Sequence, residues 1–390
     1  MNRLFLTTAA AILSATTAFA QCGGSFSGFV ASLAAEARSK GHSDAAIQSF
    51  FRGVAQDSSV IKADRSQGVF QKDFLAFSQA LVSQNRMDHG RKNASRYAAV
   101  FDQMQREYGV SPGVLLAFWG FETDYGVNQG NTNTRNALVT LAHDCRRPEL
   151  FRPQVFAALE LFERGAFDPQ NTKGAWAGEI GQIQMLPEDL LVNGVDADGD
   201  GRVDLQKSAA DALMTGARML SQMGWQPNQP WLQEVIVPDT LEWAATGLDK
   251  SYPVSQWKNA GVQGRNGPLF NQDVQASLLL PQGRKGPAFL AYPNFKVYFE
   301  WNQSFVYVTT AAYFANRLMG EPRYDPGNPD QGLNGQQMQQ LQQKLADKGY
   351  DVGKIDGILG ARTRAAVQNE QRRLGLPADA WPTPALLSQL

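Results

Sequence analysis

The sequence predicts an α+β protein, mostly α, in which one large domain is followed by a small helical one. Three observations carry that expectation. Stretches such as "FSGFVASLAAEARSKG" and "ASRYAAVFDQMQREYG" place apolar residues three and four apart and stop at glycine, the pattern of helices with one buried face. Short β-type runs, "EVIVP" and "KVYFEW", are confined to residues 232 to 310. A segment rich in Pro, Gly, Asn and Asp, "GEPRYDPGNPDQGLNG", spans residues 320–335 and reads as a linker to residues 336–390.

Taken from the start, "MNRLFLTTAAAILSATTAFA" has an early cation (Arg3), an apolar run and the small-x-small site Ala18-Phe19-Ala20. Residues 1–20 therefore read as a signal peptide. The alternative, a membrane anchor, meets a run that is too short for a bilayer and interrupted by Thr and Ser. A lipoprotein site would need a small residue before Cys22, and Gln21 stands there. The expectation is an exported, soluble, periplasmic protein with no membrane span. In that oxidising compartment Cys22 and Cys145 are expected to pair, with two free buried thiols as the alternative. Scattered histidines (His42, His89, His143) and the lack of a paired-cysteine motif exclude a zinc site. A net charge of −1 with no Lys/Arg run excludes a nucleic-acid surface.

The first large domain, residues 21–319, is helical to about residue 125, loop-rich between 165 and 210, and helical again at "AADALMTGARMLSQMG". In the tail, Met338, Leu341 and Leu345 line one helix face, "GYDVGKIDGILG" is a turn, and "TRAAVQNEQRRLG" is a second helix with Thr363 as its expected cap.

One acidic residue stands out. Ser111-Pro112 opens a helix in which Leu115, Phe118 and Glu122 share a face, so Glu122 ends an apolar stripe near the helix C-terminus. Desolvation and the negative end of the helix dipole both disfavour its anion and raise its pKa. A Glu that stays protonated near neutrality can protonate a glycosidic oxygen. The alternative is a Glu paired with an arginine. Asp124 points elsewhere on the helix and reads as a solvated end residue. No second acid is singled out by the sequence, although a two-carboxylate hydrolase needs one.

In order and spacing, "GFETDYG", "NALVTLAHDCRRPELF", "KGAWAGEIGQIQMLP", "DADGDGRVDL" and "YPNFKVYFEWNQSFVY" resemble the membrane-bound lytic murein transglycosylase B family over roughly residues 26 to 318. The tail, through "LQQKLADKGYDVGKIDGILGARTRAAV", resembles the peptidoglycan-binding domain 1 family. The two resemblances imply a lysozyme-like catalytic domain, a wall-binding module, and peptidoglycan glycan strands as the partner; they name no protein partner. Glu122 takes the position of the single catalytic acid/base, in chemistry that requires no cofactor and yields a 1,6-anhydro product. Arg146 and Arg147 match paired arginines beside the glycan cleft, with a surface salt bridge as the alternative. Gln184 matches a cleft glutamine, and Asn302 and Tyr307 match a late pair lining the site, each with ordinary loop or core structure as the alternative. Trp301, with Trp119, Tyr125 and Trp176, is a candidate for sugar contact or for core packing. Three positions depart from the pattern: Ala175 replaces a serine, and Trp301 and Met219 replace tyrosines, removing hydroxyl donors that would orient acid and sugar. In the tail, Glu370 replaces a phenylalanine. Activity is still expected; a hydrolytic lysozyme and a catalytically weak wall-binding protein are the rival readings.

Asp196, Asp198, Asp200 and Gly201 form the first half of an EF-hand loop, but Lys207 stands where its closing Glu belongs. The family has a variant closed by a later Asp, which implies Asp211 here, with Arg202 offering its backbone carbonyl. A structural calcium or sodium ion is the expectation; an acidic solvated turn is the alternative.

Overall fold

A computed structural model describes residues 22–66 and 72–390, so the expected signal peptide lies outside the described residues. The N-terminal helices are α1 (Phe26–Ser39), α2 (Asp44–Phe51), α3 (Ser58–Arg65), α4 (Phe74–Leu81), α5 (Gln84–Arg96) and α6 (Ala98–Tyr108). Side-chain oxygens of Ser25, Ser43, Asp57, Asp73 and Ser83 cap the first five, which is why these helices begin where they do. Cys22 and Cys145 are disulfide-bonded, and Gly23 N–H donates to the His143 carbonyl at 2.9 Å, so the N-terminus is strapped to the middle of the chain.

Next comes α7 (Pro112–Thr123), in which every residue from Gly113 to Gly120 is buried. A helix apolar all round must run through the core rather than over it. Pro112 fits its first turn, and Ser111 precedes it in extended conformation without a side-chain capping bond. The helix ends with Asp124 and Tyr125 in left-handed conformation, φ 50° and 62°. Asp124 is not merely solvated: Arg86 Nε donates to its Oδ1 at 2.6 Å.

Around α7 lie β1 (Thr132–Asn133), α8 (Thr134–His143), α9 (Pro148–Glu163), β2 (Lys173–Gly174), α10 (Pro187–Asn193) and α11 (Ala209–Gln222). β1 pairs antiparallel with β2, Thr132 opposite Gly174.

A five-stranded antiparallel sheet follows. Its members are β3 (Leu232–Ile236), β4 (Tyr252–Pro253), β5 (Gln263–Gly264), β6 (Gln275–Leu279) and β7 (Phe289–Ala291), in the order β4-β6-β7-β3-β5, with α12 (Val254–Asn259) packed beside them. The sheet has its own core of Val235, Val254, Trp257, Leu278, Leu290 and Tyr292. The expected strand "EVIVP" begins inside β3, but "KVYFEW" is helical, as the end of α13 (Pro293–Trp301). Val297, Phe299 and Trp301 alternate as a strand would, yet Pro293 sits in the first turn and buried Phe295 and Tyr298 are three apart, a spacing that suits a helix packed on the core.

The last helix of the large domain is α14 (Phe305–Leu318), which crosses α7 very closely. A Cβ on Gly113 would lie 2.7 Å from the Ala315 carbonyl oxygen and 2.7 Å from Met319, so only glycine permits this approach.

Residues 320–335 contain no helix or strand before α15 (Gly335–Asp347), but they are anchored: Tyr324 is buried with its hydroxyl 2.7 Å from Ser78, and Asp325 N–H donates to Glu234 at 2.8 Å. The tail folds as α15, α16 (Ala361–Arg373) and α17 (Pro384–Gln389) around Met338, Leu341, Leu345, Val367 and Leu386. Thr363 does not cap α16. Gly360 holds that position, and the buried Thr363 hydroxyl instead donates to the Val352 carbonyl at 3.1 Å. Glu370 is accommodated as a buried charge bonded to Lys348, Tyr350 and Arg373. The module docks on the sheet region, where Gln368 donates to the Thr246 carbonyl at 2.9 Å and Arg364 to the Pro281 carbonyl at 2.8 Å, and it holds the linker through Trp381 Nε1, which donates to the Asp330 carbonyl at 2.8 Å.

Candidate active site

The site forms where three helix ends meet. Glu122 lies at the last turn of α7, Trp301 closes α13, and Tyr307 stands in the first turn of α14. Tyr307 Oη donates to Glu122 Oε1 at 2.5 Å and Trp301 Nε1 donates to the same oxygen at 3.1 Å. Phe118, one turn before Glu122, stacks on Trp301 with ring centroids 4.3 Å apart and planes 15° from parallel, which fixes the direction of the indole N–H. Phe121 meets the Tyr307 ring edge-on at 5.9 Å.

Glu122 is partly buried, and desolvation of its carboxyl raises its pKa; the bonds from Tyr307 and Trp301 favour the anion and oppose that rise. Because Oε1 accepts both donors, a proton on this carboxyl belongs on Oε2, the oxygen left to face a ligand. The expected donor loss at Trp301 is thereby corrected. The tyrosine hydroxyl is absent from that position, but the indole N–H orients the carboxyl in its place.

The loop 173–185 closes one side. Ile180 and Met185 form a β-bridge, Ala175 N–H donates to the Glu179 carbonyl at 3.0 Å, and Thr123 Oγ1, next to Glu122, donates to the Gln182 carbonyl at 2.5 Å. A Cβ on Gly174 would sit 1.9 Å from the Glu179 carbonyl oxygen, so the backbone turns back on itself only because that residue is glycine. Glu179 is not singled out by the sequence. Its carboxyl interacts electrostatically with Glu122 and Arg147, and burial lifts its pKa to about 7. A lone acid in a glycine-rich loop resembles any solvated loop acid, and only the folded chain brings it to α7.

The other candidates fall in several places. Arg146 and Arg147 both bind Asp64 of α3, a nearly fully buried carboxylate. Burial alone would raise the Asp64 carboxyl, and the two guanidiniums hold it below its ordinary value instead. Their salt bridge is thus largely internal, rather than a pair of free forks. Gln184, at φ 53°, donates its amide to the Gly181 carbonyl at 2.8 Å and the Gln129 carbonyl at 3.3 Å, a loop-building role. Asn302, at the C-terminal end of α13, accepts at Oδ1 from Ser304 N–H at 2.9 Å and so fixes the turn into α14, which Ser304 itself caps. Trp119 and Tyr125 are buried in the core, Trp176 packs partly buried against it, and Met219 does likewise.

Asp196, Asp198 and Asp211 bring carboxylate oxygens within 4.8 Å of one another, a donor set of hard oxygens that fits a hard cation. Asp211, 1% exposed in the first turn of α11, also accepts from Ala197 N–H at 2.9 Å and Asp204 N–H at 2.9 Å. Asp200 is not part of this group; its Oδ1 accepts from Arg202 N–H at 2.9 Å, which turns the loop.

Residues 25–316, carrying this whole site, match the family described as transglycosylase SLT domain. The chain belongs to that family. Residues 334–390 match the peptidoglycan binding domain family. Among solved structures, SltB3 from Pseudomonas aeruginosa in complex with NAG-anhNAM-pentapeptide is 36% identical, with a TM-score of 0.87, over 94% of this chain and 99% of that one. The lytic transglycosylase SLT35 of Escherichia coli in complex with calcium is 25% identical, TM-score 0.66, over 77% of this chain and 96% of that one. The membrane-bound lytic murein transglycosylase B of Escherichia coli (strain K12) is 26% identical over 232 residues, 59% of this chain and 63% of that relative, so the match spans less than two thirds of the relative's length. As an SLT-domain transglycosylase the chain has the helix-rich, lysozyme-like architecture of these neighbours, with a helical peptidoglycan-binding domain behind it.

Proposed function

We propose that this protein is a lytic transglycosylase that cleaves the β-1,4 bond between N-acetylmuramic acid and N-acetylglucosamine in peptidoglycan, with Glu122 as its single acid/base. The observation that carries the reading is the partly buried Glu122 carboxyl whose two donors converge on one oxygen. Protonated Oε2 gives its proton to the glycosidic oxygen as the bond to C1 breaks, and the muramic acetamido carbonyl supports the electron-poor C1. Glu122, now a carboxylate with Tyr307 and Trp301 stabilising it, takes the proton of the C6 hydroxyl while O6 bonds to C1. The acid is regenerated and no water is consumed.

Digestion of purified sacculi followed by mass spectrometry of the fragments is the test. Fragments ending in 1,6-anhydromuramic acid, lighter by one water than hydrolytic fragments, are expected, and Glu122→Gln is expected to abolish their release. Reducing ends of full mass would mark a muramidase instead, and undiminished digestion by Glu122→Gln would remove Glu122 from the chemistry.

The peptidoglycan-binding domain keeps the cleft near its insoluble substrate. The Cys22–Cys145 disulfide supports a periplasmic setting, and no helix among the described residues is long and apolar enough to cross a membrane. We further propose that Asp196, Asp198 and Asp211 hold a calcium ion that ties the loop before α11 to that helix. Its role is structural, since the reaction is carried by Glu122 alone.

A further inference from the structure

We propose that Arg364, in the first turn of α16 of the tail, is a positioning residue for this reaction: its guanidinium, stacked on Phe305, holds the start of α14, from which Tyr307 reaches Glu122. The docked tail is thereby part of the catalytic frame. The inference rests on the acid/base role of Glu122 proposed above, and a continuous run of contacts carries it. The Arg364 guanidinium lies 4.7 Å from the centroid of the Phe305 ring and 6.0 Å from that of Trp381, and its Nη2 donates to the Pro281 carbonyl at 2.8 Å. Phe305 is the first residue of α14 and Tyr307 the third. Tyr307 N–H donates to Ser304 Oγ at 3.4 Å and Thr309 Oγ1 to the Phe305 carbonyl at 2.7 Å, so both residues belong to one hydrogen-bonded turn. Residues two apart on a helix do not face the same way, which lets the tail hold Phe305 while Tyr307 Oη meets Glu122 Oε1.

The chemistry of Arg364 fits this task. Desolvation brings its pKa down to about 10, and the charge of Asp379 opposes that fall. Asp379 is itself engaged elsewhere: Gln371 Nε2 and Trp381 N–H donate to its Oδ1, and Arg284 N–H donates to its Oδ2. Arg364 Nε is buried with no hydrogen-bond partner. A cation in such a place finds its compensation in the aromatic faces beside it, and that attraction strengthens as water is excluded. Docking has other anchors. Gln368 donates to the Thr246 carbonyl, and a Cβ on Gly283 would lie 2.7 Å from Trp381 Cβ, so the two surfaces already fit closely there. Beside the stack the seam is open, for Phe305 and Arg364 both line a cavity of about 360 Å³ with Leu248, Leu279 and Leu280. Removing the guanidinium enlarges that void and leaves the Phe305 ring uncovered, which loosens the start of α14.

Turnover of a short soluble peptidoglycan glycan fragment tests the role apart from attachment to insoluble wall. In Arg364→Leu kcat should fall about three- to ten-fold with KM little changed, and Arg364→Lys, which keeps a cation for the ring, should restore part of the loss. Tyr307→Phe supplies the readout that a merely structural role would not move: with that hydroxyl already gone, Arg364→Leu should cost little further kcat. Wild-type kcat in folded Arg364→Leu, or an equal fractional loss in the Tyr307→Phe background, overturns the inference. Phe305→Leu makes the same measurement from the catalytic side of the seam and stands in if Arg364→Leu fails to fold; it too should lower kcat only while Tyr307 is present, and wild-type kcat overturns the inference. Glu122→Gln is run in parallel. If it cleaves the fragment, the acid/base reading itself has failed; if it is inactive while Arg364→Leu and Phe305→Leu turn over like wild type, only the role of Arg364 has.

Discussion

In the proposed reaction Glu122 works through the difference between its two oxygens. Oε1 is committed to Tyr307 and Trp301, so each of those residues both aims the carboxyl and stabilises its anion. Removing one neutral hydrogen bond, as in Tyr307→Phe, should cost roughly 1.4 kcal/mol in the transition state, about ten-fold in kcat. It should also raise the Glu122 pKa, because a bond favouring the anion is gone, so the alkaline limb moves to higher pH. Glu122 was legible in the sequence because it closes an apolar stripe on one helix, a relation that spacing alone contains. Asp64 and Glu179 were not, since each acquires its meaning from a partner far away in the chain: Asp64 from the arginines before α9, and Glu179 from the end of α7.

At the scale of elements, the closeness of α7 and α14 sets the acid against its donor. Gly113→Val adds bulk where even a single Cβ would lie 2.7 Å from the Ala315 carbonyl oxygen, so it should push α14 away. A loss of about 1–3 kcal/mol in unfolding free energy is expected, with kcat reduced as Tyr307 withdraws, both measurable by chemical denaturation and sacculus assays. In the tail, hydrogen bonds from Arg373, opposed by burial and reinforced by Lys348 and Tyr350, hold Glu370 at about 2 against an ordinary 4.5. A depressed folded-state pKa stabilises the module above about pH 4.5 and loses that contribution as the pH falls toward 2. Glu370→Gln should therefore lower the melting temperature at pH 7 and leave it little changed near pH 2. Helix boundaries set by short capping side chains, such as Ser25 and Ser43, were easily read. "KVYFEW" was not, because alternation and helical spacing coexist in an aromatic-rich run and packing decides between them. Thr363 misled for a related reason: a hydroxyl near a helix start can cap or be buried, and the choice belongs to the neighbouring Val352 and Gln342.

For the whole molecule, the largest constraint is the disulfide, whose cysteines are 123 positions apart. Replacing Cys145 with serine should lower stability by about 2–4 kcal/mol, read as a fall in melting temperature that reducing agent reproduces in the wild type and not in the variant. Calcium bound by Asp196, Asp198 and Asp211 should raise the melting temperature, by an amount equivalent to about 2.7 kcal/mol at a hundred-fold excess over Kd; Asp198→Ala should abolish the response to calcium and to chelator. The two-part organisation was visible from the Pro/Gly-rich stretch, yet composition alone cannot tell a loose tether from a fastened one. Here Tyr324, Asp325 and Asp330 are each held, the last by Trp381 of the tail, and the tail grips the sheet region through Gln368 and Arg364. A floppy leash would let the cutting point wander anywhere within its reach of the point of attachment. A fastened one fixes the span between the tail module and Glu122, so in the proposed reaction the point of attachment limits where the cut can fall.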